Sequence, residues 1–259
     1  MKAIVLTSNK LRHKFLLKVI NDNFDLLGAI YEDKGAYYDK QMNKSILVSK
    51  HFERLSKTEK DFFEKDVKNL NLNNTEIKSI NKNEINNEDI VGWAKELNPD
   101  VIFLFGTGIL ENNWLHSFEN KIINIHLGLS PFYKGSATLF WPFVNDELEC
   151  IGATIHLAVK KVDAGGILER IKPNISKDDD YYSINYKTIK KAILILPQIV
   201  KSYLDGELKP MPQIKSTTKV YKKADFNEEV LQQVLNKYAN NIPTGCLIKL
   251  NESKVCCCQ

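Results

Sequence analysis

The chain has 259 residues, of which 43% are hydrophobic and 26% charged, a composition that excludes intrinsic disorder and allows one sizeable core with a small appendage. The formal net charge of +4 is spread without a run of five basic residues, which argues against nucleic acid as a partner. No stretch approaches the roughly 18 apolar residues of a membrane span, and the N-terminus lacks a signal-peptide layout, so we expect a cytoplasmic protein without membrane insertion.

In the first part of the chain, short apolar runs alternate with segments whose apolar residues recur at helical spacing. Strands are predicted at residues 3–6, 24–31, 77–80 and 101–105, and helices at residues 11–19, 52–63 and 87–97. The run at 101–105 is apolar throughout, as expected of a strand that is buried on both faces of a sheet. This alternation predicts an α/β fold with a Rossmann-like, doubly wound and mainly parallel sheet.

The second part of the chain continues the same alternation and ends in a shorter segment. Helices are predicted at residues 114–118, 137–144, 178–205 and 227–238, and strands at residues 121–125, 151–159 and 166–172. We predict a catalytic domain over residues 1–205 and a small C-terminal appendage over residues 206–259. The sequence contains no P-loop and no GxGxxG signature, so chemistry on nucleoside triphosphates or NAD has no support.

Asn124 lies in the predicted strand at 121–125, and His126, two residues later, directly follows that strand. Side chains two apart on a strand point to the same face, about 6 to 7 Å from each other. A glycine- and proline-containing loop follows at 127–135, where a parallel sheet opens its ligand crevice. Asp163 precedes two glycines in a later loop. Each residue alone is explained as well by a core histidine or a turn former, but together they offer an amide donor, a proton carrier and a carboxylate.

Cysteine and histidine usage gives no evidence for a disulfide framework or a metal centre. The five cysteines are Cys150, Cys246 and a terminal run, Cys256 to Cys258, and their odd number and spacing are typical of a reduced protein. The terminal Cys-Cys-Cys-Gln overlaps a prenylation box only poorly. The remaining histidines are scattered along the sequence, so we expect no bound metal.

Four motifs occur in a fixed order. They are Asn-Ile-His at 124–126, Leu-Ser-Pro-Phe-Tyr-Lys-Gly at 129–135, Gly-Ala-Thr-Ile-His at 152–156 and Asp-Ala-Gly-Gly at 163–166. This run resembles the folate-dependent formyltransferases, which include glycinamide ribonucleotide transformylase, methionyl-tRNA formyltransferase and the sugar N-formyltransferases. The resemblance is densest from residue 99 to residue 171. The chain departs from the family pattern at Leu127-Gly128-Leu129-Ser130-Pro131, where many members carry Ser-Leu-Leu-Pro, and at Ala164.

The resemblance implies the formyltransferase fold and a set of site residues. Catalysis is expected of Asn124, His126 and Asp163. The family's co-substrate is N10-formyltetrahydrofolate, and the residues expected to bind it are Gly106, Gly108, Ile109, Leu110, Val162 and Asp163. The residues expected to contact the acceptor are Tyr133, Lys134 and Gly135. His156 has a family counterpart but is as easily explained as a structural residue.

The size of the chain distinguishes between acceptors within this family. Methionyl-tRNA formyltransferases add a C-terminal barrel domain, and purine-pathway transformylases are shorter, so the resemblance is closest to the sugar N-formyltransferases. The predicted acceptor is a nucleotide-linked deoxyaminosugar, such as a dTDP-aminosugar of O-antigen or lipopolysaccharide biosynthesis, and analogy implies a homodimer. The rings of Tyr133, Phe140 and Trp141 are candidates for packing on a hexose or base. A formyltetrahydrofolate hydrolase, a methionyl-tRNA formyltransferase-like enzyme and a non-catalytic folate-binding module remain alternatives.

Overall fold

The computed structural model describes residues 1–34, 45–214 and 219–247. The strands of the main sheet are β1 (Lys2–Thr7), β2 (Asp25–Glu32), β3 (Glu76–Ile80), β4 (Val101–Leu104), β5 (Ile122–His126), β7 (Ala153–Leu157) and β8 (Ile167–Ile171). A small second sheet consists of β6 (Lys134–Gly135) and β9 (Val220–Tyr221). The helices are α1 (Leu11–Asn21), α2 (Ile46–Val67), α3 (Glu88–Leu97), α4 (Asn112–Ser117), α5 (Trp141–Val144), α6 (Tyr181–Leu204) and α7 (Glu228–Tyr238).

The main sheet has the strand order β3-β2-β1-β4-β5-β7-β8. The strands from β3 to β5 pair in parallel, and β7 and β8 add an antiparallel edge. The predicted α/β class with a mainly parallel sheet is confirmed. Because β5 is the last parallel strand, its carboxyl end lies beside the start of the antiparallel edge, which brings residues of the later loops next to it.

Alternating strand residues build one core on each face of the sheet. Ala3 and Val5 point to the face covered by α1, α2 and α6, while Ile4 and Leu6 point to the face covered by α3 and α4. Gly28 is required on β2, since a Cβ there would lie 2.7 Å from the Trp93 ring. The strands of the parallel part are therefore buried on both faces, as their apolar runs predict.

Two predicted helices begin later than expected, for identifiable reasons. The helix predicted at 137–144 is reduced to α5, because Ala137 has a φ of +55°, outside the right-handed helical region. The helix predicted at 178–205 begins at Tyr181, because the Asp180 carboxylate accepts a hydrogen bond from the Ser183 N–H as its N-cap. The acidic residues therefore precede the helix.

Other bounds differ by extension or fraying. The helix predicted at 52–63 extends over Ile46–Val67 and is capped by the Ser45 hydroxyl, while the strand predicted at 151–159 covers only Ala153–Leu157. The C-terminal helix α7 packs onto the main core through Leu231, Val234 and Tyr238, which are buried. The proposed boundary at residue 205 remains a prediction, and Cys256 to Cys258 lie outside the described residues.

Candidate functional site

The carboxyl end of β5 brings the predicted catalytic residues together. His126 is the last residue of β5 and is 6% exposed. Its Nδ1 atom lies 3.3 Å from Asp163 Oδ1, and its Nε2 atom lies 2.7 Å from the Tyr133 carbonyl oxygen. A carboxylate from a distant loop and a carbonyl from the adjacent loop thus contact the two nitrogens of one ring.

The antiparallel pairing of β5 with β7 adds a fourth polar residue, His156, directly opposite Asn124. His156 Nδ1 lies 2.8 Å from the Leu157 carbonyl oxygen, which only accepts, so Nδ1 carries the hydrogen. Nε2 is then an acceptor, and Asn124 Nδ2 donates to it across 3.0 Å. His156 Nε2 also lies 3.7 Å from Asp163 Oδ1. Local sequence pattern does not distinguish a structural from a functional role for His156, because the proximity of His156 to Asn124 depends on strand register.

The environment of His126 and Asp163 sets their protonation. Burial lowers the pKa of His126, and the Asp163 carboxylate and the Tyr133 carbonyl only partly oppose this. Burial acts to raise the pKa of Asp163, but the neighbouring His156 and His126 rings and the Gly135 N–H hold that pKa below its usual range. Near neutral pH, Nε2 carries a hydrogen for Tyr133, and the Nδ1 lone pair faces the carboxylate. This pair is therefore arranged to take up one proton between Nδ1 and Oδ1.

The loop after β5 holds the ring of His126 in place. A Cβ atom at Gly128 would lie 2.5 Å from the Tyr133 carbonyl oxygen and 2.7 Å from His126 Nε2. A side chain at that position would therefore break the hydrogen bond between the two. The Thr154 hydroxyl donates to the Gly128 carbonyl across 2.6 Å and accepts from the Ser130 N–H across 2.9 Å. The glycine that departs from the family pattern is thus fitted to its surroundings.

A cavity of about 900 Å³ opens at this edge of the sheet, and Asn124, His126, His156 and Asp163 line it. On one side the lining is apolar and includes Leu104, Leu110, Leu115 and Ala158. All the residues predicted to bind the co-substrate line the cavity: Gly106, Gly108, Ile109, Leu110, Val162 and Asp163. Their role in binding remains a prediction.

The other side of the cavity is built by α2, α6 and the loop before α5. Its apolar lining consists of Phe52, Leu55, Phe140, Tyr186 and Ile189. The amide of Asn185 also lines it, and Asn185 Oδ1 is buried without a hydrogen-bond partner among the described residues. Charged residues complete this side: Lys10, Arg12, Glu53, Lys57, Glu59 and Lys60.

The predicted acceptor-binding residues differ in their position relative to the cavity. Gly135 lines the cavity, whereas Tyr133 and Lys134 are not among its lining residues. The Tyr133 ring is 3% exposed, stacks on Tyr221 with a centroid distance of 5.9 Å, and donates its hydroxyl hydrogen to Glu147 across 2.5 Å. This ring is therefore a core side chain with no open face for a sugar.

The two neighbouring aromatic candidates differ from each other. Trp141 is also buried, with its ring stacked on Tyr221 at 4.4 Å, so a role in sugar packing does not fit it. Phe140 lines the cavity although it is only 3% exposed. Lys134 is half-buried in β6, and burial lowers its pKa. A contact between Lys134 and an acceptor remains a prediction.

The described residues contain neither a candidate metal site nor a candidate membrane-spanning helix. Among residues 1–34, 45–214 and 219–247, no group of three or more His, Cys, Asp or Glu residues is placed to hold a metal ion. Within the same ranges, none of the helices has the length and apolar character needed to cross a membrane. Among the described residues, neither Cys150 nor Cys246 forms a disulfide.

The fold is shared with known proteins. The family model described as formyl transferase matches residues 19–200. A sugar N-formyltransferase from a Shewanella species is similar with a TM-score of 0.59 and 17% identity, over 93% of this chain and 91% of that one. A phosphoribosylglycinamide formyltransferase from Anaplasma phagocytophilum gives 0.58 and 17%, over 86% and 98%. A 4-N formyltransferase from Francisella tularensis gives 0.56 and 18%, over 90% and 85%.

At these identities the solved structures establish the shared fold, while the family model covers well over half of the sequence. The motifs that carry the family resemblance are also the ones that meet at the carboxyl end of β5. The chain belongs to the formyl transferase family and is a formyltransferase.

Proposed function

We propose that this enzyme transfers the formyl group of N10-formyltetrahydrofolate to the primary amine of a nucleotide-linked deoxyaminosugar. The observation that carries the proposal is the meeting of Asn124, His126 and Asp163 at the edge of one large cavity. Family membership supports the formyl donor. The similarity to several sugar N-formyltransferases supports a sugar acceptor.

Asn124 is suited to stabilise negative charge on the formyl oxygen. One Nδ2 hydrogen is used on His156 Nε2, which fixes the amide plane and leaves the second hydrogen for a ligand in the cavity. A preorganised donor of this kind contributes about 3 to 4 kcal/mol to the transition state of acyl transfer. In this assignment Asn124 is the catalytic donor and His156 orients it.

His126 and Asp163 together are suited to move the proton that the reaction transfers. The attacking amine loses one proton as its nitrogen bonds to the formyl carbon, and the leaving nitrogen gains one as its bond to that carbon breaks. The site between Nδ1 and Oδ1 accepts the first proton, because both atoms present lone pairs 3.3 Å apart. Return of this proton to the leaving nitrogen completes the exchange, so no net proton is consumed.

The apolar side of the cavity fits a flat heterocycle. Gly106 has a φ of +74°, which L side chains rarely adopt, and Gly108 donates its N–H to the Glu32 carboxylate across 2.5 Å. At these two positions backbone rather than side chain lines the cavity. The co-substrate, when bound, supplies a formyl group already attached to a nitrogen leaving group. The chain's own residues on this side bind it and exclude water.

The opposite side of the cavity supports an acceptor that carries an anionic group. Its rim holds four cations, Lys10, Arg12, Lys57 and Lys60, against two carboxylates, Glu53 and Glu59. Arg12 is paired with Glu59 across 2.9 Å and Lys57 with Asp61 across 3.0 Å, and the cations that line this rim outnumber the carboxylates that line it by two. A pyrophosphate linked to a sugar would be attracted here, while Phe52, Leu55 and Phe140 provide an apolar surface for a deoxysugar ring.

Phosphoribosylglycinamide is a second candidate acceptor, which the similarity to phosphoribosylglycinamide formyltransferases supports. Phosphoribosylglycinamide formyltransferases share the fold with TM-scores up to 0.58, and their acceptor is also an amine on a phosphorylated sugar. Transfer to tRNA, hydrolysis of the donor and donor binding without catalysis stay open as alternatives. In the first two alternatives the acceptor is tRNA or water. Donor binding without catalysis predicts that changing Asn124, His126 or Asp163 leaves every turnover unchanged.

One experiment separates these functions. Purified enzyme with N10-formyltetrahydrofolate is offered UDP-, GDP- and dTDP-linked aminosugars and, in parallel, phosphoribosylglycinamide and methionyl-tRNA. The proposal predicts a donor-dependent mass increase of one CO unit on at least one aminosugar nucleotide. Release of tetrahydrofolate without a formylated product would instead identify a hydrolase, and formylation confined to phosphoribosylglycinamide would identify a purine-pathway enzyme.

The cellular setting is part of the same proposal. Nucleotide-linked aminosugars and reduced folates are made in the cytoplasm, so an enzyme that transfers a formyl group from the folate to the sugar acts there. This step precedes the entry of the sugar into O-antigen or lipopolysaccharide. We also propose a homodimer, by analogy within the family. Analytical ultracentrifugation of the purified chain tests the dimer directly.

A further inference from the structure

We infer that residues 211–214 and 219–221, the C-terminal segment, brace the two loops around His126, with Gln213 and Tyr221 as positioning residues. The inference rests on the proposed catalytic roles of Asp163 and His126. The structure describes residues 211–214 and 219–221 of this segment. Neither Gln213 nor Tyr221 lines the cavity, so both act through other residues.

Gln213 holds the loop that carries Asp163. Its Nε2 atom donates to the Asp163 carbonyl and to the Gly165 carbonyl, each across 2.8 Å, so both amide hydrogens are used on one loop. This loop needs support, because Asp163 has a φ of +52°, a conformation that costs energy for a residue with a side chain. Backbone hydrogen bonds of 2.8 Å in both directions between Met211 and Ile167 anchor the segment beside β8.

The glycines of the Asp163 loop fit this support. A Cβ atom at Gly165 would lie 1.8 Å from the Leu157 carbonyl oxygen, and a Cβ atom at Gly166 would lie 2.6 Å from Pro210 Cβ. The loop is therefore enclosed between the end of β7 and the C-terminal segment. Its position depends on both neighbours.

Tyr221 holds the loop that follows β5. Its backbone pairs with Gly135 in the β6–β9 sheet, and its carbonyl accepts from the Ser136 N–H across 2.8 Å. Its ring stacks on those of Tyr133 and Trp141, with interplanar angles of 8° and 11°. Tyr133 supplies the carbonyl that His126 contacts, and the Gly135 N–H points to Asp163 Oδ2 at 3.4 Å.

Both groups that face the imidazole of His126 therefore belong to loops that the C-terminal segment holds. Asp163 faces Nδ1, and the Tyr133 carbonyl faces Nε2. The other charged or titratable groups that act on this ring are His156 and Lys134. A displacement of either loop therefore changes the proton affinity of His126.

The test is an NMR titration of the His126 ring in the full-length protein without substrate. Among the signals of the five histidines, the one that disappears in a His126→Gln variant is assigned to His126. In Gln213→Met, which keeps the side-chain length and removes both donors, we expect the pKa of His126 to fall by about one unit as the Asp163 carboxylate moves away. The matched control is Gln232→Met on α7, where an exposed glutamine bonds only to Asn236. The control should titrate like wild type.

A second pair of variants keeps the test decisive if Gln213→Met does not fold. Tyr221→Leu removes the stacked ring and should move the His126 titration, whereas Tyr221→Phe keeps the stack and should restore the wild-type curve. Where formyl transfer is measurable, Gln213→Met should lower kcat about tenfold with KM little changed. In an Asp163→Asn background it should cause no further loss, because the two residues act as one unit.

The outcomes separate this inference from the proposed function. Failure of every acceptor would refute the proposed function but leave the titration intact as a test of the brace. Identical His126 titrations in wild type, Gln213→Met and Tyr221→Leu would overturn the brace even if Gln213→Met lost activity, since that loss would then come from a general structural defect.

Discussion

Asn124 Nδ2 donates a hydrogen bond to His156 Nε2 across 3.0 Å, between residues that face each other on the antiparallel strands β5 and β7. The hydrogen bond from His156 Nδ1 to the Leu157 carbonyl fixes the tautomer that makes Nε2 an acceptor. Because an amide that is fixed in advance needs no reorganisation as charge develops, this pair is suited to stabilise an oxyanion.

Replacing either partner should therefore lower kcat, and the loss should be larger for the donor Asn124 than for His156, which orients it. Asn124→Ala removes the donor itself and should reduce kcat by about 10²- to 10³-fold. His156→Phe keeps a ring of similar size, removes the acceptor, and should reduce kcat about tenfold because the Asn124 amide is then free to rotate.

Steady-state kinetics on both single variants and on the double variant check this relationship. If His156 acts through Asn124, adding His156→Phe to Asn124→Ala has little further effect. Fully additive losses would contradict it. The matched control is Asn236→Ala on α7, an exposed asparagine that contacts Gln232 and lies outside the cavity lining.

The pH dependence of kcat should report the His126–Asp163 pair as a base. Burial lowers the pKa of His126, and neighbouring groups hold the pKa of Asp163 down. The active, unprotonated form is thus retained below the ordinary imidazole pKa of about 6.5. We expect kcat to be constant near neutral pH and to fall only below about pH 6. A plot of kcat against pH that already falls steeply between about pH 8 and 7 would contradict this assignment.

His51 should make the folded state sensitive to acid. It is 3% exposed among aromatic rings, its Nδ1 lies 3.1 Å from the Tyr182 hydroxyl, and burial lowers its pKa from 6.5 to about 4. Since the unfolded chain binds a proton near pH 6.5 and the folded chain does not, stability is complete above that value and decreases as the pH falls towards 4. The loss attributable to this group is at most about 3 to 4 kcal/mol, because one pKa unit corresponds to about 1.4 kcal/mol.

Denaturant unfolding of wild type and His51→Phe between pH 7 and pH 4 isolates this contribution. The variant cannot bind the proton, so its free energy of unfolding should fall less over the same interval. Parallel curves for the two proteins would show that another group is responsible.

Asn185 should separate binding from stability. Its Oδ1 atom is buried without a partner among the described residues, in the side of the cavity that we assign to the acceptor. Leaving such a group without a partner costs about 1 to 3 kcal/mol, but Asn185 also forms a hydrogen bond with the buried Tyr181 hydroxyl, so the two effects offset each other and Asn185→Leu should change the melting temperature little. If the amide contacts the acceptor, the same change should raise the KM for the acceptor about tenfold and leave the KM for the donor unchanged.

Thermal unfolding and kinetics with each substrate varied in turn measure these effects. The control is Asn236→Leu on α7, where an exposed asparagine contacts Gln232. An increase in the donor KM alone would assign Asn185 to the other side of the cavity.

The sequence predicted the features that depend on local pattern. Apolar strands and helical spacing gave the α/β class, and the period of two gave Asn124 and His126 a common face. The proximity of Asp163 was accessible only through the family resemblance, because nothing local determines where a loop some forty residues later returns. The short helix α5 and the late start of α6 were missed because they depend on the backbone of Ala137 and on the carboxylate cap of Asp180.

The features that were not predictable require strand register or distant packing. His156 faces Asn124 only because β7 runs antiparallel to β5 in one register. Tyr133 was predicted to contact an acceptor through its ring, yet its carbonyl contacts His126 while the ring packs on Tyr221. Gln213 reaches the Asp163 loop from fifty residues further along the chain, a contact without any local signature.

The most direct test of the central claim compares wild type with His126→Ala in donor-dependent formylation of the aminosugar nucleotides, with donor binding measured on both proteins. We predict that wild type adds one CO unit to at least one acceptor, and that His126→Ala binds the donor but forms almost no product. Equal product from the two proteins would contradict the account, because the imidazole at the end of β5 would then have no part in the transfer.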